Sequence, residues 1–239
     1  MNFWILFWLI ISIALIGFLG WTVLMIARQK KAWKAFAEKH GLSFKANALM
    51  QGPEISGKMQ DYKISYFTSE HVTPDMRGTR KLTAIEIRLN SQPPFEGAVA
   101  SGGMVNFINN VGFDQELIPE YEEWNRSYLA AADDKYKLKA LLGSERLKVL
   151  TQLMKFPHGW VCYVFRNEVA LLRIDTPQSM DKPEQLEKIS KAMIKAATVL
   201  ELKDGERAQI DKKAEDLEAA EKKQDIRSSE EKAAKLELE

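Results

Sequence analysis

The chain is short of ligating and reactive side chains, with one cysteine and three histidines in 239 residues. A lone Cys162 excludes an internal disulfide framework and any multi-cysteine metal site, and it fits a reducing compartment. The formal net charge is +1, from 34 basic and 33 acidic residues. The basic excess of a nucleic-acid-binding surface is therefore missing. No G-K-[ST] ending marks a phosphate loop, and Ser101, preceded by Val99 and Ala100, is not in a G-x-S-x-G elbow. His71 lies in Glu70-His71-Val72-Thr73-Pro74-Asp75, a spacing that matches no zinc or calcium pattern. His158 is held in a turn by Pro157 and Gly159, while Cys162 follows inside an apolar strand and reads as a buried structural thiol. The acids Asp114, Glu116, Glu120, Glu122 and Glu123 cluster around Pro119 as a solvated face rather than as paired catalytic carboxylates. These absences lead us to expect no metal, no cofactor and no nucleic-acid partner, and they favour a non-enzymatic role.

Charge is missing altogether from residues 3–27, FWILFWLIISIALIGFLGWTVLMIA. As a helix this run extends about 37 Å, enough to cross a hydrocarbon core of about 30 Å with some tilt. A helix also satisfies its own backbone hydrogen bonds in lipid. Trp4 and Trp8 stand near one end, where indole rings sit at headgroup level. A cleaved signal peptide needs a basic leader, a shorter apolar core and small residues at the cleavage site. Met25-Ile26-Ala27-Arg28 is a poor cleavage site, and only Met1 and Asn2 precede the run. Residues 1–27 are therefore expected to be a transmembrane anchor.

Arg28, Lys30, Lys31, Lys34 and Lys39 follow the run at once, against the single acid Glu38. The positive-inside bias puts this flank in the cytoplasm and the N-terminus outside. Arg28, Lys30, Lys31 and Lys34 are the expected contacts with the membrane surface, where each basic residue gains about 1 kcal/mol near anionic lipid. Trp33, Phe36, Ala37 and His40 recur at helical spacing, so residues 28–41 read as a basic juxtamembrane helix with a docking stripe, ended by Gly41.

Residues 42–202 read as one compact α+β domain with a mostly antiparallel sheet and packed helices. Ile85, Ile87 and Leu89 alternate with Glu86, Arg88 and Asn90, as in a half-buried strand, and residues 62–68 form its expected partner across a polar loop. Residues 160–165 and 169–174 read as a hairpin with apolar residues on both faces, expected to be covered on both sides or central in the sheet. Leu138, Leu141 and Leu142 belong to one short helix, and Leu147, Leu150, Leu153 and Met154 to a second, with Gly143-Ser144 between them. Asp181, Pro183 and Glu184 punctuate the start of a last helix, whose stripe is Leu186, Ile189, Met193, Ala197 and Leu200.

Residues 203–239 change composition to a charged tail without aromatics, too polar to fold alone and expected to be partly helical or disordered. Ile210, Ala214 and Leu217 hint at a heptad that does not persist. The uncharged segment 97–113, GAVASGGMVNFINNVGF, reads as a loop. Its Ser101, Gly102, Gly103, Asn106 and Asn109 are the expected ligand or partner surface, Ser101-Gly102-Gly103 having the makings of a backbone anion nest. The plan of one span, a small α+β domain and a charged tail resembles that of many bacterial inner-membrane proteins. The missing catalytic constellation, the charged tail and the uncharged segment point to a membrane-tethered interaction or adaptor domain, with the lipid bilayer as one partner and a protein bound through the tail or segment 97–113 as another. The alternative is a tethered enzyme or small-molecule sensor with its site in segments 68–80 and 97–113.

Overall fold

A computed structural model describes residues 3–48, 51–72 and 78–236. Its first element, α1 (Phe3–His40), is one uninterrupted helix of 38 residues, so the apolar run and the basic collar are a single rod. Over the first part, large apolar side chains such as Trp8, Ile16 and Trp21 point outward on every side. Over the last part, Ala32, Trp33, Phe36 and Ala37 turn inward and are buried. Gly41 follows at φ +64°, and the Leu42 amide donates back to the Ala37 carbonyl, closing the helix end with a left-handed residue.

Among the described residues, nine strands form one sheet: β1 (Ser43–Lys45), β2 (Glu54–Met59), β3 (Tyr62–Val72), β4 (Thr79–Arg88), β5 (Gly97–Ala100), β6 (Gln115–Glu116), β7 (Leu129–Ala132), β8 (Trp160–Arg166) and β9 (Val169–Thr176). Their order is β1-β2-β3-β4-β9-β8-β5-β7-β6. The β8–β9 hairpin is central, as its two-sided apolar pattern requires. The helices are α2 (Met104–Val111), α3 (Lys135–Leu141), α4 (Ser144–Met154), α5 (Pro183–Leu200) and α6 (Glu206–Leu236). The fold is thus α+β with an antiparallel sheet. Two compact units can be told apart in it, Met1–Ile87 with Arg173–Ile194, and Arg88–Leu172 with Lys195–Glu239.

In the first unit, the α1 stripe packs against one face of the sheet. The rings of Trp33 and Phe36 meet Tyr66 edge-on at 6.1 and 5.4 Å. Trp33 Nε1 donates to the Met180 carbonyl at 3.1 Å, which satisfies the indole's polar atom inside the core. Tyr66 reaches Ser190 on α5 at 2.6 Å. Because Ser190 spends its own proton on the Leu186 carbonyl, the phenol is the donor. His40 Nε2 and Lys39 Nζ both reach Glu187 on α5, at 2.8 and 3.0 Å. Hydrogen bonds from His40, then Lys39, hold the Glu187 carboxyl down at about 2.

In the second unit, segment 97–113 is not a loop. It is the fully buried strand β5, a turn and the helix α2, whose Met104 and Ile108 close over Ala98, Ala100, Ala131 and Cys162. The lack of charge there reflects two-sided burial of β5 and the apolar inner face of α2. The start of α5 also differs in detail: the amide of Lys182 receives its side-chain cap from Gln185, not from Glu184. The charged C-terminal segment begins as a docked helix. Ile210 and Ala214 of α6 are buried, and Lys137 on α3 pairs with Asp211 at 2.9 Å. Arg146 on α4 donates to the carbonyls of Leu141, Val199 and Glu201, which are terminal acceptors of α3 and α5, and pairs with Glu206 at 2.6 Å. One arginine therefore satisfies carbonyls that two helix ends leave unpaired.

Truncating the indole that joins α1 to the sheet should cost about 3–5 kcal/mol, the range for emptying a large aromatic site in a core. We expect Trp33→Ala to lower the denaturant midpoint of the full chain in detergent by that amount, with Lys31→Ala on the exposed face of α1 nearly neutral.

Candidate functional site

On the first unit's sheet face opposite Tyr66, charged and polar side chains converge. Successive residues of a strand point to opposite faces, so Phe67, Ser69 and His71 of β3 share one side with Arg173 and Asp175 of β9. Asp175 is fully buried. Its carboxylate accepts Arg173 Nε at 2.7 Å and Nη2 at 2.9 Å, Ser69 Oγ at 2.7 Å, and a short bond from His71 Nε2. Arg173 Nη1 extends to Glu86 on β4 at 2.9 Å, and its guanidinium lies over the Phe67 ring at 5.2 Å. In this network Asp175 is buried, and Arg173, Glu86 and His71 are half-buried.

The two acids answer the same arginine differently. Burial pushes the Asp175 carboxyl up, but bonds and charge from Arg173, with Ser69 and His71, outweigh it, and the net shift is down. For Glu86 burial prevails over Arg173, Asp175 adds like-charge repulsion, and the net shift is up. The geometry is not that of a nucleophilic serine. In such a triad the imidazole lies between hydroxyl and carboxylate. Here Ser69 and His71 both address the same Asp175 oxygen, so the carboxylate is the centre.

Beside this network a groove of about 410 Å³ opens over β1–β4, lined by Ser43, Lys45, Glu54, Ser56, Ser65, Phe67 and Glu86 among others. Ser43 pairs in register with Ser56, and Ser56 with Ser65, so three hydroxyls form a row across three strands. The volume falls in the range of small-ligand sites, but the lining is more polar than is usual for them. Among the described residues no three metal-ligating side chains converge; Asp75, beside His71 in sequence, lies outside them.

The sequence-derived surface divides. Ser101 is buried and paired with β8: its amide donates to the Val161 carbonyl at 2.8 Å, and its Oγ accepts the Val161 amide at 3.1 Å. Gly102 and Gly103 lie under Trp160, where a Cβ would stand 2.3 and 2.5 Å from the indole. Gly102 also has φ +58°. Both glycines thus allow close approach of the indole. Asn106 and Asn109 are exposed on α2, beside Phe107, which is 56% exposed. Of the basic collar, Arg28, Lys31 and Lys34 are exposed, and Lys34 pairs with Glu38 at 3.7 Å. Lys30 instead donates to the Ala48 carbonyl at 2.7 Å. His158 is in a turn at φ +58°, and Cys162 is buried in β8.

The Arg173–Asp175 network was missed in sequence. The available signal was Arg173-Ile174-Asp175, two charges alternating on a strand whose apolar pattern calls for burial on both faces, with Ser69 and His71 at the same spacing on β3. No protein-family model, curated protein sequence or solved structure matches the chain.

Opposite pH signs should separate the two acids. Asp175→Asn leaves Arg173 partly unpaired and should cost about 3–5 kcal/mol near neutral pH. Because its folded value is depressed, the stability that Asp175 supplies is full above the ordinary carboxylate range and is lost as pH falls through the folded value. Glu86 is raised, so its contribution is full below its unfolded value and lost as pH rises through the folded one. Glu86→Gln should therefore be more stable than wild type near neutral pH, with the gain gone near pH 4. Denaturant midpoints of the full chain in detergent across this range read both signs. In the second unit, Gly103→Ala should destabilise by about 1–3 kcal/mol through overpacking against Trp160, whereas Asn109→Ala should leave the midpoint unchanged.

Proposed function

We propose that the chain is a single-pass membrane protein of a bacterial inner membrane, with its N-terminus outside and its folded body cytoplasmic. The body acts as an interaction or adaptor module held at the membrane surface. The continuity of α1 carries this reading. The same helix that exposes apolar side chains on all sides over residues 3–27 supplies Trp33 and Phe36 to the core of the first unit. Among the described residues one helix is long and apolar enough to cross a membrane, and its charge-free run exceeds the apolar core of a signal peptide. The collar of Arg28, Lys31 and Lys34 supports the cytoplasmic side. Partner surfaces would be the outer face of α2, with Asn106, Phe107 and Asn109, and the part of α6 beyond its buried Ile210 and Ala214.

A second reading, a tethered sensor or enzyme for a small polar molecule, draws on the serine-lined groove beside Glu86 and Arg173. Segment 68–72 contributes Ser69 and His71 to that side of the sheet, whereas 97–113 belongs to the other unit. A melting shift of the full chain on adding a polar metabolite library, lost in Ser56→Trp, would favour this reading. Co-purification that depends on residues 218–239 or on Asn106 and Phe107 would favour the adaptor.

Two measurements check the proposal. The full chain should stay in the membrane fraction through alkaline carbonate, and release into the supernatant would contradict a span. With Cys162 replaced by Ala, a cysteine at Ser228 should resist a membrane-impermeant maleimide in intact cells and react after lysis. Labelling in intact cells would put the body outside.

A further inference from the structure

The way β1 returns along α1 fixes which end of the first unit meets the bilayer. After Gly41 the chain reverses, and β1 runs back beside the helix that it has just left. Lys30 is ten residues before His40, about 15 Å along the helix at 1.5 Å per residue. β1 is extended only over Ser43–Lys45, and the chain then turns, with Asn47 at φ +53°. Lys30 Nζ reaches this turn and donates to the Ala48 carbonyl at 2.7 Å, which sets Ala48 within one lysine side chain of that level of the helix. Asn47 Nδ2 in turn bonds the Gly52 carbonyl at 2.9 Å and Glu54 at 3.0 Å, which ties the rest of the connection to the same point.

That level lies at the membrane surface if α1 spans. Lys30 is three residues past the charge-free run, about 4–5 Å along the axis, and the headgroup layer of one leaflet is about 5–8 Å thick. In an antiparallel run of β1, β2, β3 and β4, successive connections alternate ends. The end of β3 at Val72, which is 64% exposed, and the start of β4 at Thr79 thus lie on the same side as Ala48 and Gln51. The β2–β3 turn at Gln60 and Asp61 lies at the other end, about 20 Å further out along the six residues of β2.

We propose that the β1–β2 end of the first unit, marked by Asn47, Ala48, Gln51 and Gly52, rests on the phospholipid headgroups of the leaflet that α1 enters, so that the bilayer surface is a second partner of the folded body. The Lys30 ammonium acts as the positioning group, holding that connection against the base of the helix. The inference rests on the proposed span, and its test separates the two. In a Cys162→Ala background, Gln51, Asp61 and Ile16 are replaced singly by cysteine in the full chain. Each variant is labelled with NBD, reconstituted into phosphatidylethanolamine–phosphatidylglycerol vesicles and exposed to headgroup-spin-labelled lipid. Both Gln51 and Asp61 are exposed in the fold, so neither label displaces core. The proposal expects quenching several-fold stronger at position 51 than at 61, a blue-shifted emission at 16, and loss of the 51–61 contrast in Lys30→Ala. A blue-shifted label at 16 with equal quenching at 51 and 61 overturns the headgroup contact alone. A water-like emission at 16 overturns the span and the contact together.

Discussion

Trp33 and Phe36, packed on Tyr66, join a helix long and apolar enough to cross a membrane to the sheet of the first unit. Without that contact the first unit would hang from its anchor by a chain end. With it, the apolar rod and the first unit's sheet are joined, because α1 continues unbroken from its apolar run into the buried stripe. The polar atoms at this junction are satisfied locally: the indole nitrogen by Met180, the Tyr66 hydroxyl by Ser190, and Lys39 and His40 by Glu187. A junction with its polar groups paired resists bending, since tilting the helix would break several bonds at once.

Arg146 is buried and Arg173 half-buried, and the two are used differently. Arg146 is spent on helix-end carbonyls and Glu206, an arrangement that explains itself as capping. Arg173 has two carboxylates, a ring beneath it and a groove beside it. At Glu86, the acid with fewer partners, burial outweighs Arg173, and Asp175 adds a smaller repulsion. That under-paired acid lines the groove, which is why the groove, rather than the Arg146 centre, is where a polar ligand would be sought.

Much of the architecture was legible because its signals were local. The stripe of Trp33, Phe36 and Ala37, the break at Gly143-Ser144, and the apolar periodicity of α5 each follow from spacing within a few residues. The two-sided apolar pattern of residues 160–174 also placed the central hairpin. Of the strands that escaped notice, Gly-Ala-Val-Ala and Leu-Ala-Ala-Ala consist largely of residues with low strand preference and have no alternation, because both faces are buried. Their neighbours across the sheet hold them extended, and sequence spacing does not carry that information. For the same reason, the uncharged stretch 97–113 read as a loop that could carry a ligand or partner surface. Its lack of charge instead marks a buried strand and glycines pressed under Trp160.

The central claim is that span and body are one piece of helix, and amide hydrogen exchange across the collar tests it most directly. In the full chain reconstituted in lipid nanodiscs, amides from Arg28 to Lys34 should be as slowly exchanging as those of the buried sheet, with protection running unbroken from the span into Trp33. A fast-exchanging gap between Ala27 and Ala32 would reveal a hinge, and the rigid connection described for α1 would then be wrong.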